Sequence, residues 1–146
     1  MTRTKSRVLL LVEDDEGDVW ATRRAFSGLS TIEQVETFKD GEHALQWLQE
    51  RGGDNSGDDP LPALVLLDLN LPRITGIEFL ERIKTDHLLR HIPVIILTTS
   101  ADANDVQRAY AAGASSYLVK PASMEGFTKV AEAVSEYYFD TARLPN

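Results

Sequence analysis

Four short apolar runs constrain this chain more than any other feature: Val8-Leu9-Leu10-Leu11-Val12, Leu64-Val65-Leu66-Leu67, Val94-Ile95-Ile96-Leu97 and Tyr117-Leu118-Val119. None of them alternates apolar with polar residues. Runs of this length, rich in β-branched residues and bounded by turn residues, read as strands covered on both faces. A fifth run, Ile32 to Phe38, carries Glu33 and Glu36 between apolar positions and reads as an edge strand. Helical periodicity fills the intervals. Val19, Thr22, Phe26 and Leu29 share one helical face, as do Ala44, Leu45 and Leu48, and Ile77, Leu80 and Ile83. Val106, Ala109, Tyr110 and Gly113 form a fourth stripe, and Phe127, Val130, Ala131, Val134 and Tyr138 a fifth. Strands alternating with helices imply βαβ units and a parallel sheet with right-handed crossovers. The predicted architecture is an α/β, doubly wound, five-stranded parallel sheet, because a barrel of eight units would need a longer chain. Arg51 to Pro62 is rich in Gly, Asp, Asn and Pro and reads as a flexible loop.

A length of 146 residues suits one domain, expected to span 1–146 with a core at about 7–138 and a C-terminal extension at 139–146. The formal net charge of -8 disfavours nucleic acid and anionic membrane as partners, since the electrostatic term would repel both. The absence of cysteine removes disulfides, thiolate metal sites and cysteine nucleophiles. Val8 to Val12 is too short for the core of a signal peptide, and no run approaches a membrane span, so a cytoplasmic location is expected.

In an open α/β sheet, ligands bind beyond the carboxyl ends of the strands. The first run is followed by Glu13, Asp14 and Asp15, and the third strand by Asp68. Thr98, Thr99 and Ser100 follow the fourth, and Lys120-Pro121 the fifth. Each has an ordinary explanation: Asp15 as a helix N-cap, Asp68 as a cap for the Asn70–Pro72 turn, Thr98 as a strand-end hydroxyl, Lys120 as a solvated charge. Jointly they resist it. Carboxylates gathered in one crevice repel each other unless a cation sits among them, and hard oxygen ligands suit Mg²⁺.

Glu13-Asp14, the run Asp68-Leu69-Asn70-Leu71-Pro72 with Gly76, Thr98, and the Lys120-Pro121 pair resemble the signature of CheY-like receiver domains. The resemblance covers about residues 7 to 138 and implies a flavodoxin-like sheet of strand order 2-1-3-4-5. It implies a response regulator of a two-component phosphorelay, in which Asp68 takes a phosphoryl group from a sensor histidine kinase. Glu13 (through water), Asp14, Asp68 and the backbone carbonyl of Asn70 would hold Mg²⁺. Thr98 and Lys120 would bind the phosphoryl oxygens, and Thr98 with Tyr117 would form the switch. Lys120-Pro121 is expected to be cis. Glu13 stands where many members have Asp, and Thr99 where Ala or Gly is common.

The long loop and a tail containing Tyr137-Tyr138-Phe139 and Leu144-Pro145 resemble the small single-domain regulators that partner bacterial phytochromes. That likeness implies a homodimer. At roughly 100° per residue, Phe139 falls off the core-facing stripe and Tyr137 lies at its edge, so Tyr137, Phe139 and Leu144 are the expected interface. Output would pass through protein contacts, to a histidine phosphotransfer protein or another target. Two rival classes stay in view: a Mg²⁺-dependent phosphatase with an aspartyl nucleophile, and a flavodoxin-like flavin carrier. The first places its nucleophile after the first strand, and the second would find Glu13-Asp14-Asp15 repelling its phosphate.

Overall fold

Apolar runs without polar alternation need cover on both faces, and the computed structural model, which describes residues 7–52 and 60–141, supplies it. Strands β1 (Val8–Val12), β2 (Gln34–Phe38), β3 (Leu64–Leu67), β4 (Val94–Thr98) and β5 (Ser116–Val119) form one parallel sheet in the order β2-β1-β3-β4-β5. Helices α1 (Glu16–Ser27) and α5 (Met124–Ser135) lie together on one side. On the other lie α2 (Gly41–Gly52), α3 (Gly76–Thr85) and α4 (Ala103–Ala111). Alternate strand residues feed the two cores. Leu10, Val12, Val65, Leu67, Val94 and Ile96 pack with α2, α3 and α4. Leu9, Leu11, Leu64, Leu66, Ile95 and Leu97 pack with α1 and α5. Each such side chain, fully buried, contributes roughly 1.5–3 kcal/mol, and with both faces covered these strands carry no polar residue before Thr98 at the end of β4.

The fourth apolar run departs from the expectation. Tyr117 and Leu118 are only half-buried and Val119 is 49% exposed, because β5 lies at the sheet edge rather than inside it. The strand at the other edge, β2, begins at Gln34, so Ile32 and Glu33 precede it. Arg51 and Gly52 belong to α2, which shortens the expected loop from its front, and residues 53–59 lie outside the described residues. Tyr110 points outward and Gly113 follows α4 at φ +111, so the stripe there narrows to Ala109, with Val106 half-buried. No helix among the described residues is long and apolar enough to cross a membrane.

The end of α5 brings a second correction. The chain continues as a π-helical turn over Glu136–Thr141. Bonds of the i→i+5 type turn the chain less per residue than an α-helix does. Tyr138, four residues beyond Val134, and Phe139, five beyond it, therefore both face the α1/α5 core. Tyr138 is buried and its hydroxyl pairs with Ser116 Oγ at 3.0 Å. Phe139 packs against its own domain and does not project as the α-helical wheel predicted. Tyr137 stays 56% exposed, and Leu144 lies outside the described residues.

Candidate functional site

The parallel register brings the chemistry-bearing residues to one edge. Val12 pairs with Leu67, so Glu13 and Asp68 leave the sheet side by side, and Asp68 N–H donates to Val12 O at 3.1 Å. Thr98 pairs with Val119, so Lys120 follows immediately beside it, with its N–H on Thr98 O at 2.7 Å. Two close approaches fix the loops. A Cβ on Gly76 would lie 2.4 Å from the Asp68 carbonyl oxygen, so only glycine lets α3 begin against that backbone. A Cβ on Gly126 would lie 2.4 Å from Pro121 Cβ, which packs the start of α5 against the residue after Lys120. Among the described residues no peptide bond is cis, so Lys120–Pro121 is trans. The expected cis bond is thus not found, and trans is the form a bond before proline prefers by about 0.5–1 kcal/mol.

Ligand oxygens of Glu13, Asp14 and Asp68 lie within 4.8 Å of one another. Glu13 and Asp68 are buried and Asp14 is exposed, so the trio opens to solvent on one side. Burial, reinforced by the Asp68 charge, pushes the Glu13 carboxyl up to about 7 against the opposing hydrogen bonds from Lys120 and the Asp15 backbone. Asp68 Oδ1 accepts the Asn70 N–H at 3.3 Å, which draws the turn after β3 over the carboxylate. The turn continues through Arg73, a non-glycine residue at φ 68.

Lys120 is not a solvated charge: its side chain is 6% exposed. Its ammonium reaches Glu13 Oε1 at 2.5 Å, Asp18 Oδ2 at 2.7 Å and Asp68 Oδ2 at 3.0 Å. Burial alone would depress its pKa, but the hydrogen bonds to Asp18, Glu13 and Asp68 outweigh that and hold it above the ordinary lysine value. Thr98 Oγ1 is buried with no hydrogen-bond partner among the described residues. A buried hydroxyl without a partner costs about 1–3 kcal/mol. Beyond it, the Ser100 hydroxyl is drawn to Asp105 at 2.6 Å, and the Tyr117 hydroxyl donates to Ser100 O at 2.9 Å. Burial, with the nearby Asp105, Asp102 and Asp68 charges, raises the Tyr117 phenol above its usual value. Tyr117 is therefore attached to the loop that leaves Thr98.

The expected residues Glu13, Asp14, Asp68, Thr98 and Lys120 converge on this edge, with Asn70 on the turn after β3 and Tyr117 inside β5, its hydroxyl reaching the loop after Thr98. Asp15 caps α1, its Oδ1 accepting Asp18 N–H at 2.9 Å, as anticipated. Asp18 was not anticipated. It lies inside a helix rather than at a strand end, in the first turn of α1, where an acid is ordinary, so the sequence pattern did not mark it.

Such a carboxylate trio beside a captured ammonium, at the strand ends of a 2-1-3-4-5 sheet, suits a divalent cation and an anionic group at once. Comparison with known proteins defines the class. Residues 9–132 match the response regulator receiver domain, and the chain belongs to that family. It is a response regulator of a two-component phosphorelay. Among relatives, it is 41% identical over 138 residues to the probable methanogenesis regulatory protein FilR2 of Methanothrix harundinacea, covering 94% of this chain and 87% of that one. It is 34% identical to response regulator Rcp1 of Synechocystis sp. over 95% of this chain and 93% of that protein. The structure of the phosphorylated cyanobacterial phytochrome response regulator RcpA superposes with a TM-score of 0.87 at 32% identity, covering 97% of this chain and 100% of that one. Rcp1 has been solved in a Mn²⁺-bound form.

Proposed function

We propose that Asp68 is the phosphoryl acceptor of this response regulator, and that a sensor histidine kinase of the phytochrome type is the donor. The observation that carries the reading is the buried Asp68 carboxylate, hydrogen-bonded to Lys120 at 3.0 Å, in the same crevice as a buried Thr98 hydroxyl that lacks a partner. An Asp68 oxygen attacks the phosphorus of a phosphohistidine. The new O–P bond forms as the P–N bond breaks, and the imidazole leaves with the electron pair. Lys120 stabilises charge on the phosphoryl oxygens. Thr98 turns its hydroxyl to a phosphoryl oxygen and gains the partner it lacks. Tyr117, tied to the loop leaving Thr98, follows and alters the surface formed by α4, β5 and α5.

Asp14, Asp68, the carbonyl of Asn70 and, through water, Glu13 would hold Mg²⁺, which when bound neutralises charge between the acceptor and the phosphoryl group. Glu13 suits the outer role because its oxygens already serve Lys120 and the Asp15 N–H. The chain acts as a switch whose own residues promote both gain and loss of the phosphoryl group, not as an enzyme turning over a separate substrate. The phytochrome partnership is supported by the likeness to RcpA over nearly the whole chain. Output runs through protein contacts in the cytoplasm, to a histidine phosphotransfer protein or another target. A homodimer through the C-terminal segment uses the exposed Tyr137, with Phe139 committed to its own core, and Leu144 of the expected interface lies outside the described residues.

Acetyl phosphate with Mg²⁺ should label the wild-type chain with one phosphoryl group, read by intact mass, and should leave Asp68→Asn unlabelled. Stoichiometric labelling of that variant would contradict the assignment.

A further inference from the structure

The Lys120 ammonium has three protons to donate, and three carboxylates surround it. Two of these, Glu13 and Asp68, have tasks in phosphoryl transfer and metal binding. The third, Asp18, has none there, yet at 2.7 Å it makes a shorter contact than the acceptor itself. We propose that Asp18 is a positioning residue for phosphorylation, acting through Lys120: it anchors the ammonium from the α1 side so that the remaining donors point at the acceptor edge. The inference rests on reading Asp68 as the acceptor.

Asp18 is built into place. Its N–H is held by Asp15 Oδ1 at 2.9 Å, and the Asp15 N–H is held in turn by Glu13 Oε2 at 3.1 Å. A closed circuit therefore runs from Glu13 through Asp15 and Asp18 to Lys120 and back to Glu13. Lysine is a flexible point charge with many rotamers, and preorganising such a group lowers the cost of aiming it in the transition state. When Asp68 gains a phosphoryl group and Glu13 turns toward a cation, two of the three acceptors of Lys120 change. Asp18 stays on its helix, 30% exposed at its side chain and outside the reacting atoms.

Charge works in the opposite direction. A further carboxylate repels an anionic phosphoryl donor, so if charge governed the rate, any neutral replacement would speed labelling. Position and charge separate in two variants. Asp18→Asn keeps an oxygen that can accept from Lys120 and removes the charge, whereas Asp18→Ala removes both.

The test uses the full chain with acetyl phosphate and Mg²⁺, following labelling by intact mass. A small donor leaves out any contact α1 makes with a kinase. Asp18→Ala should label about tenfold more slowly than wild type, and Asp18→Asn within about threefold of it. Mg²⁺ affinity by calorimetry should stay within about threefold of wild type in both, because no metal ligand has changed. Equal or faster labelling of Asp18→Ala, or equal slowing of both variants, would overturn the proposal. Failure of the wild type itself to be labelled would instead overturn the reading of Asp68, and this proposal with it.

Discussion

The carboxyl end of the sheet and the C-terminal turn both end secondary-structure elements, yet opposite forces hold them. At the sheet end, Glu13, Asp14 and Asp68 crowd together, Glu13 is pushed toward neutrality and the Thr98 hydroxyl has no partner among the described residues. Charge repulsion, offset only in part by the Lys120 ammonium, and an unmet hydrogen bond make this end costly. At the C-terminal turn, Tyr138 is buried, hydrogen-bonded to Ser116 and stacked edge-on against Tyr137 at 4.9 Å between ring centroids. That end contributes stability through packing. The cost of the crowded carboxylates is tolerable because buried aromatic and aliphatic packing elsewhere offsets it.

Substitutions should therefore act with opposite sign at the two ends. The largest effect is expected from Tyr138→Ala, which should cost about 3 kcal/mol in denaturant unfolding by emptying a buried aromatic site. Tyr138→Phe should lose only about 1 kcal/mol, the share of its hydroxyl. If Tyr138→Ala costs no more than a surface change, the π-helical turn does not pack as described.

Next in size is the metal. Asp14→Ala should weaken Mg²⁺ binding by about 10- to 100-fold in calorimetry. Asp15→Ala should leave that affinity nearly unchanged and cost about 1 kcal/mol of stability as a lost N-cap. The reverse ranking would shift the ligand assignment by one residue.

Without metal, Asp68→Asn should be at least as stable as wild type, gaining about 1 kcal/mol by relieving repulsion among the carboxylates. A clear loss would mean that the Lys120 contact outweighs the crowding. The smallest change belongs to Arg73, exposed and at φ 68. Arg73→Asn should add about 0.5 kcal/mol, because asparagine tolerates the left-handed region. An unchanged melting temperature would show that this turn is not strained.

How legible each end was in sequence follows from the same contrast. Asp68, Thr98 and Lys120 were readable because a strand of fixed period delivers the next residue to a known edge. Buried runs also made the strand ends unambiguous. Asp18 escaped because its contact with Lys120 spans two elements, and on α1 it looks like an ordinary first-turn acid. Phe139 was misplaced because an α-helical wheel assumes a constant turn per residue, and the passage to i→i+5 bonding after Ser135 leaves no mark in composition. Tyr117 and Val119 carried the apolar pattern of a central strand but sit at an edge, since strand order comes from the crossovers and not from the run itself.

The central claim is that the phosphoryl group resides on Asp68, and chemical mapping tests it most directly. Acyl phosphates are reduced by borohydride to the alcohol, which turns a phosphorylated aspartate into homoserine. After labelling with acetyl phosphate and Mg²⁺, reduction and peptide sequencing by mass spectrometry should find homoserine at position 68. Homoserine at Asp14, or at any aspartate other than Asp68, would contradict the account.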